Sequence, residues 1–518
     1  MAVAEFRNEP ATDFGREENR RAYEAAIRKV ESQFGRDYPL IIGGERVTTA
    51  EKIVSRNPAA PSEVVGTTGK AGPAEVDRAL EAARKAFETW SRTDPLARAR
   101  ILWKAAAIMR RRKHELSATM TVEVGKTWPE ADADTAEAID FLEFYGREMA
   151  RLAQAQPLTR LMGEDNEVYY LPLGVGVIHS PFNFPLAILT GMTSAAIVAG
   201  NTVLVKPSVH TPVIAAKFFE ILEEAGLPPG VANYVPGDPA EIGEMLTTDP
   251  RIHFVSFTGS AAVGAKIHEQ AARVQPGQRF LRRVVAEMGG KDAIIVDSEV
   301  DVDEAVLGIV TSAFGFGGQK CSACSRAIVL EDRYDEVLEK VTKAAQALRL
   351  GDPRRPEVQM GPVGSEAAYR RVLEYIQIGR GEGRLVTGGG APEGLGDGYF
   401  VSPTIFADVD PHARIAQEEI FGPVLAFFKA GSFEEAVAIA NDTQYGLTGS
   451  VYSRNRANLE YARREFHVGN LYFNRKCTGA LVGVHPFGGF KMSGTDSKAG
   501  GRDYLLLFTQ AKSVSEKF

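Results

Sequence analysis

The sequence predicts an α/β fold of mainly parallel sheets covered by helices, and three observations carry that expectation. Strand-like apolar runs alternate with helical ones: "HFVSFTG" into "SAAVGAKIHEQAA", "DAIIVD" into "VDEAVLGIVTSAFGF", and "SRAIVLED" into "YDEVLEKVTKAAQAL", the order that builds βαβ units. The segment 171–205 carries no Asp, Glu, Lys or Arg, as expected for elements buried on both faces of a covered sheet. The chain of 518 residues, 44% hydrophobic and 25% charged, has no fixed short repeat and no low-complexity linker. Two or three interleaved domains follow.

In chain order, the start "MAVAEFRNEPATDFGREENRR" is too charged for a signal peptide. Residues 74–90 place Val76, Ala79, Leu80, Ala83, Phe87 and Trp90 on one helical stripe. The run 97–116 continues as a second amphipathic helix, its basic stretch "RRRKH" read as a solvated face. The charge-free segment is long enough to cross a bilayer. Pro181, Asn183, Pro185, Gly191, Gly200 and Asn201 divide it into strand "VGVIHS", helix "PLAILTGMTSAAIVAG" and strand "NTVLVKPS", so no membrane association is expected. The Gly-rich stretch 381–400 has no helix directly after it and reads as an exposed hairpin or loop. The formal charge of -7 offers no general attraction to nucleic acid. Three cysteines form no disulfide framework, which points to a reducing cytoplasm.

Cys321 and Cys324 stand in a C-x-x-C spacing, while Cys477 stands alone and no His-x-x-x-His pair accompanies them. A zinc site wants four ligands, so no metal is expected. A thioredoxin-like pair opens a helix after a strand; here the pair follows a helix and leads into a strand. What remains is one nucleophile and one bystander. Cys321 lies in the turn after Gly315, Gly317 and Gly318, which permit close backbone approach, whereas Cys324 begins a strand and reads as core. A carboxylate, Glu287, precedes Gly289 and Gly290, and "SPFNFP" holds Asn183 between aromatic rings and prolines. Nucleophile, base and oxyanion donor are the minimum for acyl chemistry at a carbonyl.

The segments "PFNFP", "NTVLVKPS", "FTGS", "EMGGK", "GQKCSA", "EEIFGPV", "NDTQYGLTGSVYS" and "PFGGFKMSG", in this order over most of the chain, resemble the aldehyde dehydrogenase superfamily. The resemblance implies the aldehyde dehydrogenase fold: a Rossmann-like dinucleotide domain without G-x-G-x-x-G (1–148 and 169–288), an α/β catalytic domain (289–490) and a β-hairpin oligomerisation flap (149–168 and 504–518). It implies that Cys321 attacks the aldehyde, that Asn183 meets the oxyanion, and that Glu287 activates the water that releases the acid. It places Lys206, Ser208, Gly259, Ser260, Val263, Glu419 and Phe421 at a nicotinamide dinucleotide. The cofactor it implies is NAD. Many NAD-preferring members carry Glu three residues after the Lys, where this chain has Val209, so NADP is expected to be accepted too. Lys320 receives no role.

The stretch "FHVGNLYFNRKCTGALVGVHPFGGF", with "FRNEP" and "ADTAEAIDF", resembles the branch that oxidises L-glutamate γ-semialdehyde to glutamate. That resemblance implies Ser322, Gly479 and Ala480 at the substrate's α-carboxylate, Phe184 and Phe487 on its aliphatic stem, and Glu137 near its amino group. It further implies a monofunctional, cytoplasmic homo-oligomer, a dimer or an assembly of dimers. A dehydrogenase for another amino-aldehyde is the alternative.

Overall fold

The structure is a computed structural model that describes residues 4–518; the expected nucleotide domain begins at Met1, so its first three residues lie outside the described ones. Two seven-stranded sheets dominate it. In the first, the strands run in the order Arg283–Glu287, Phe254–Thr258, Val175–His179, Thr202–Lys206, Ala232–Tyr234, Leu40–Ile42, Glu45–Val47. The first five are parallel and the last two join antiparallel. The chain steps outward from Val175–His179 through Thr202–Lys206 to Ala232–Tyr234, then returns to the other side with Phe254–Thr258. That reversal opens a crevice beyond the C-terminal strand ends, where doubly wound sheets bind ligands.

The second sheet runs Arg384–Thr387, Thr404–Ala407, Val424–Ala430, Cys324–Leu330, Asp292–Val296, Thr448–Tyr452, Asn470–Phe473. Only Arg384–Thr387 is antiparallel to its neighbour. The α/β expectation holds. The charge-free segment folds into the two parallel strands Val175–His179 and Thr202–Lys206 around the helix Ala187–Val198, with nearly every side chain buried. Among the described residues no helix is long and apolar enough to cross a membrane.

Two expectations need correction. The run 97–116 is not one helix: Pro95–Arg111 ends at Arg112 (φ -99°, ψ 13°) and a second helix, Lys113–Val124, follows. Its basic stretch is only partly solvated, because Lys113 is buried and reaches Asp132 and the Pro10 carbonyl at 3.0 and 2.9 Å. A polar partner inside the fold turns a surface residue into a core one. The Gly-rich stretch 381–400 leaves the end of the helix Glu366–Glu382, forms the edge strand Arg384–Thr387 antiparallel to Thr404–Ala407, and continues as the loop between them, which is the hairpin expected of it. Away from both sheets, Glu164–Pro172 pairs antiparallel with Thr509–Lys517 over nine residues.

Candidate active site

The two sheets are joined by four residues, Met288 to Lys291, between the end of Arg283–Glu287 and the start of Asp292–Val296. The site therefore forms where the C-terminal edge of the first sheet faces the N-terminal edge of the second. His179, Lys206, Thr258 and Glu287 end first-sheet strands, while Cys321 and Phe421 stand just before the second-sheet strands Cys324–Leu330 and Val424–Ala430. Of the glycines of "EMGGK", Gly290 is required by this approach to backbone, and Gly289 leaves room for the Glu419 carboxylate. A Cβ on Gly289 would stand 2.2 Å from Glu419 Oε2, and one on Gly290 2.3 Å from the Cys321 carbonyl.

Cys321 sits at the meeting point of two cavities and lines both. Its turn is left-handed over Phe316, Gly317 and Gly318 (φ 51°, 59° and 70°). A Cβ on Gly318 would come within 2.3 Å of the Gly422 carbonyl, so the close backbone approach expected of these glycines is found at Gly318; at Gly315 and Gly317 a Cβ would meet no backbone. Burial, with Glu287, Asp292 and Glu419 nearby, pushes the Cys321 thiol well above its ordinary pKa. Asn183 is buried and donates one amide N–H to the Gln319 carbonyl at 3.0 Å; its second N–H is free for another acceptor. Glu287 accepts from the Gly489 N–H at 3.2 Å and the Ser497 hydroxyl at 2.8 Å. Burial outweighs both bonds and pushes its carboxyl up to about 8.

The smaller cavity, about 950 Å3 including its open mouth, is lined by Cys321, Glu287 and all six expected substrate residues, Ser322, Gly479, Ala480, Phe184, Phe487 and Glu137. Glu137, Phe141 and Tyr145 reach it from one stripe of the helix Trp128–Leu152. Burial and neighbouring Asp134 push the Glu137 carboxyl up to about 8. Gly479 has φ 75°. The Arg475 guanidinium donates to the Thr478 and Gly479 carbonyls at 3.0 and 3.1 Å, which fixes this turn from its outer side. Among the described residues, neither the Gly479 nor the Ala480 amide donates to a backbone carbonyl. Two free N–H groups on one turn make an anion seat.

The larger cavity, about 2080 Å3 including its open mouth, is lined by Asn183 and by all seven expected cofactor residues, Lys206, Ser208, Gly259, Ser260, Val263, Glu419 and Phe421. Ser260 caps the helix Ala261–Ala272, accepting from the Val263 N–H at 3.4 Å, and that helix N-terminus suits a pyrophosphate. Burial lowers Lys206 to about 8. Glu419 accepts from the Gly290 N–H at 3.1 Å and is pushed up to about 7 by burial. Phe421 holds a left-handed φ of 63° and meets Phe182 edge to face at 5.8 Å. Two buried polar atoms on this wall, His179 Nε2 and Ser180 Oγ, have no partner among the described residues, and a polar ligand would satisfy them. These residues fit a dinucleotide.

Several residues here escape a reading of the sequence. Ser497 and Gly489 orient Glu287 from far along the chain, and only Gly489 falls within a recognised segment, "PFGGFKMSG". His179 and His485, one in each cavity, belong to no histidine motif. Lys126 is fully buried against Asp134 at 2.6 Å, with its ammonium 4.0 Å from the Phe184 ring and 4.9 Å from the Phe316 ring. It thus braces the Asn183 loop against the Cys321 turn. Lys320 pairs with Glu130 at 3.0 Å. Cys324 is core, as expected, and its thiol donates to the Arg326 carbonyl at 3.5 Å; Cys477 is buried too and donates to the Ser322 carbonyl at 3.4 Å. All three cysteines are free, and among the described residues no three His, Cys, Asp or Glu side chains converge as a metal site would require.

Comparisons with known proteins converge on the same assignment. The sequence profile described as "Aldehyde dehydrogenase family" matches residues 46–514. A relative from Geobacillus kaustophilus (strain HTA426), 1-pyrroline-5-carboxylate dehydrogenase, is 61% identical over 516 residues, covering all of both chains. The protein of the same name from Bacillus subtilis (strain 168) is 56% identical over 513 residues and 99% of each chain. A crystal structure of 1-pyrroline-5-carboxylate dehydrogenase from Thermus, with bound NAD, superposes with a TM-score of 0.98 at 57% identity over the whole of both chains. With the Cys321 turn set between the two cavities, and a profile match over nearly its whole length, the chain belongs to the aldehyde dehydrogenase family.

Proposed function

We propose that the chain oxidises L-glutamate γ-semialdehyde, the open form of 1-pyrroline-5-carboxylate, to L-glutamate with NAD as hydride acceptor. One observation carries the reading: Cys321 and Glu287 share a cavity with the Gly479–Ala480 turn and Ser322, so reacting atom and anion seat are in one chamber. The names of the relatives support the same substrate, and the Thermus protein's bound NAD supports the cofactor. Cys321 Sγ attacks the aldehyde carbon, its proton passing to water or the Glu287 carboxylate, and the new oxyanion accepts from Asn183 and the Cys321 N–H. NAD, when bound, takes the hydride that leaves this carbon. The resulting thioester is hydrolysed by a water whose proton goes to Glu287, and the Cys321 thiol is regenerated as glutamate departs.

In this reading Lys206, Ser208 and Ser260, with Gly259 and Val263, hold the adenosine and pyrophosphate side. Glu419 and Phe421 hold the nicotinamide riboside. Ser322, Gly479 and Ala480 seat the α-carboxylate, Phe184 and Phe487 flank the stem, and Glu137 faces the ammonium. Residues 1–148 with 169–288, 289–490, and 149–168 with 504–518 divide as dinucleotide domain, catalytic domain and flap. The enzyme works as a cytoplasmic homodimer or an assembly of dimers, and Val209 admits NADP beside NAD.

The test follows reduced-cofactor formation with glutamate semialdehyde and with pentanal, using each nucleotide. The semialdehyde is expected to have the higher kcat/KM and glutamate to inhibit competitively against it, because donors left unpaired by pentanal penalise its binding. Preference for pentanal would overturn the substrate reading.

A further inference from the structure

The motif "FRNEP" at residues 6–10 takes no part in either cavity wall, yet it ends up beside one of them. Residues 4–13 run extended across the helix Trp128–Leu152. The two N–H groups of the Asn8 amide are both used: Nδ2 donates to Asp140 Oδ2 at 2.8 Å and to the Val482 carbonyl at 3.0 Å. The Glu9 N–H takes the other Asp140 oxygen at 2.6 Å. Asp140 lies one turn beyond Glu137 on the helix, and Val482 is two residues past Ala480. Asn8 therefore ties the helix that carries Glu137 to the turn that offers the anion-seat amides.

Phe6 makes a second tie at the same place. Its ring meets Phe144 edge to face at 5.2 Å, and Phe6 and Phe144 atoms lie 3.0 and 3.1 Å from where a Gly483 Cβ would stand. Gly483, at φ 76°, is thus seated between two rings. Further along, the Thr12 amide and hydroxyl bind Asp132 at 2.8 and 2.6 Å, and Lys113 binds the Pro10 carbonyl at 2.9 Å. The segment is fastened at both ends. Without it, this part of the turn keeps the Gly483 N–H to the Gly500 carbonyl at 2.8 Å, the Leu481 N–H to His485 Nδ1 at 3.1 Å, the Val484 and His485 N–H groups to the Leu481 carbonyl at 3.1 and 2.9 Å, and Arg475 on the Thr478 and Gly479 carbonyls. Within this set only the strap reaches the helix carrying Glu137 directly. Two backbone amides serve one carboxylate only while their separation and direction are held, and a small displacement costs binding steeply.

We propose that residues 5–14 are a strap, with Phe6 and Asn8 as positioning residues that hold the Gly479–Ala480 seat in register with the Glu137 helix and so set selectivity for aldehydes bearing an α-carboxylate. The proposal rests on the substrate reading above. In the full chain, Asn8→Ala and Phe6→Ala are expected to raise the KM for glutamate semialdehyde and the inhibition constant of glutamate together, about fivefold each, the scale of one lost hydrogen bond for Asn8 and of one lost aromatic contact for Phe6. The kinetic constants for pentanal and the KM for NAD stay within about twofold, and Phe6→Leu restores most of the effect. Amide hydrogen exchange at residues 479–484 is expected to quicken in the two alanine variants. Unchanged semialdehyde KM in folded variants, or equal loss for both aldehydes, would overturn the proposal. If the wild type prefers pentanal and glutamate does not inhibit, the substrate reading has failed first. The exchange then decides the strap alone: faster exchange confined to 479–484 upholds its grip on the turn, and unchanged exchange refutes it.

Discussion

Cys321 and Glu287 each hold a proton more tightly than the free side chain does, burial being the main cause of both shifts, with Glu287 adding to that of Cys321. The consequence is a pH dependence of definite sign. Glu287 accepts a proton only as the carboxylate, so kcat is expected to climb as pH rises through about 8, and Glu287→Gln should erase that limb. Stability runs the other way. A carboxyl raised from an ordinary 4.5 to about 8 keeps the folded state protonated across that window, so its stabilising share is full below the ordinary value and is lost as pH rises to the folded one. A kcat that is flat from pH 6 to 9 would remove Glu287 from the rate-limiting proton transfer. The cysteines separate as cleanly. Cys321→Ala should abolish turnover. Cys324→Ala should keep it and cost about 1 kcal/mol in packing, a loss read in a denaturant melt; stoichiometric zinc, or equal loss of activity in both variants, would contradict this division.

At the scale of elements, function sits on the ends of strands and in the turns between them. The helix N-terminus at Ser260 and the end of Thr202–Lys206 face the same cavity, and Val209 lines it beside them. No acidic side chain stands at that position to repel a 2′-phosphate. Val209→Glu is expected to shift the NAD over NADP preference toward NAD by about 1–2 kcal/mol, read as the ratio of kcat/KM values for the two nucleotides. Complete inability of the wild type to use NADP would show that another element already excludes the phosphate. The Asn183 loop and the Cys321 turn are likewise braced: Lys126 contacts a ring from each, and Asp134 also accepts the Ala187 N–H at 2.7 Å, holding the start of the helix Ala187–Val198.

At the scale of the whole molecule, the pairing of Thr509–Lys517 with Glu164–Pro172 is an outlier. Every residue of Thr509–Lys517 after the first is exposed, as are Tyr169, Leu171 and Val514 on the ribbon and Met162 beside it. An isolated two-stranded ribbon is marginal in water, and exposed apolar side chains on it call for a partner surface. Light scattering should give at least twice the 56.2 kDa of one chain, and removal of residues 509–518 should lower the assembly state; a monomer at micromolar concentration would refute the flap's role. Most of this architecture was legible in the sequence because buried parallel strands are apolar throughout and glycines mark forced approaches, as at Gly290 and Gly318. The break at Arg112 and the burial of Lys113 were not, since the partners, Asp132 and the Pro10 carbonyl, are remote in sequence. Ser497 escaped for the same reason: nothing local distinguishes a hydroxyl that will meet a carboxylate 210 residues away.

The central claim is that Cys321 carries the acyl group from the semialdehyde and that Glu287 directs its release. The most direct measurement mixes Glu287→Gln with glutamate semialdehyde and NAD, follows the burst of NADH, quenches, and maps the modified peptide by mass spectrometry. A near-stoichiometric burst with a γ-glutamyl thioester on Cys321 is the expected result. Ordinary steady-state turnover by the folded variant, or an acyl group on Cys324 or Cys477, would contradict it.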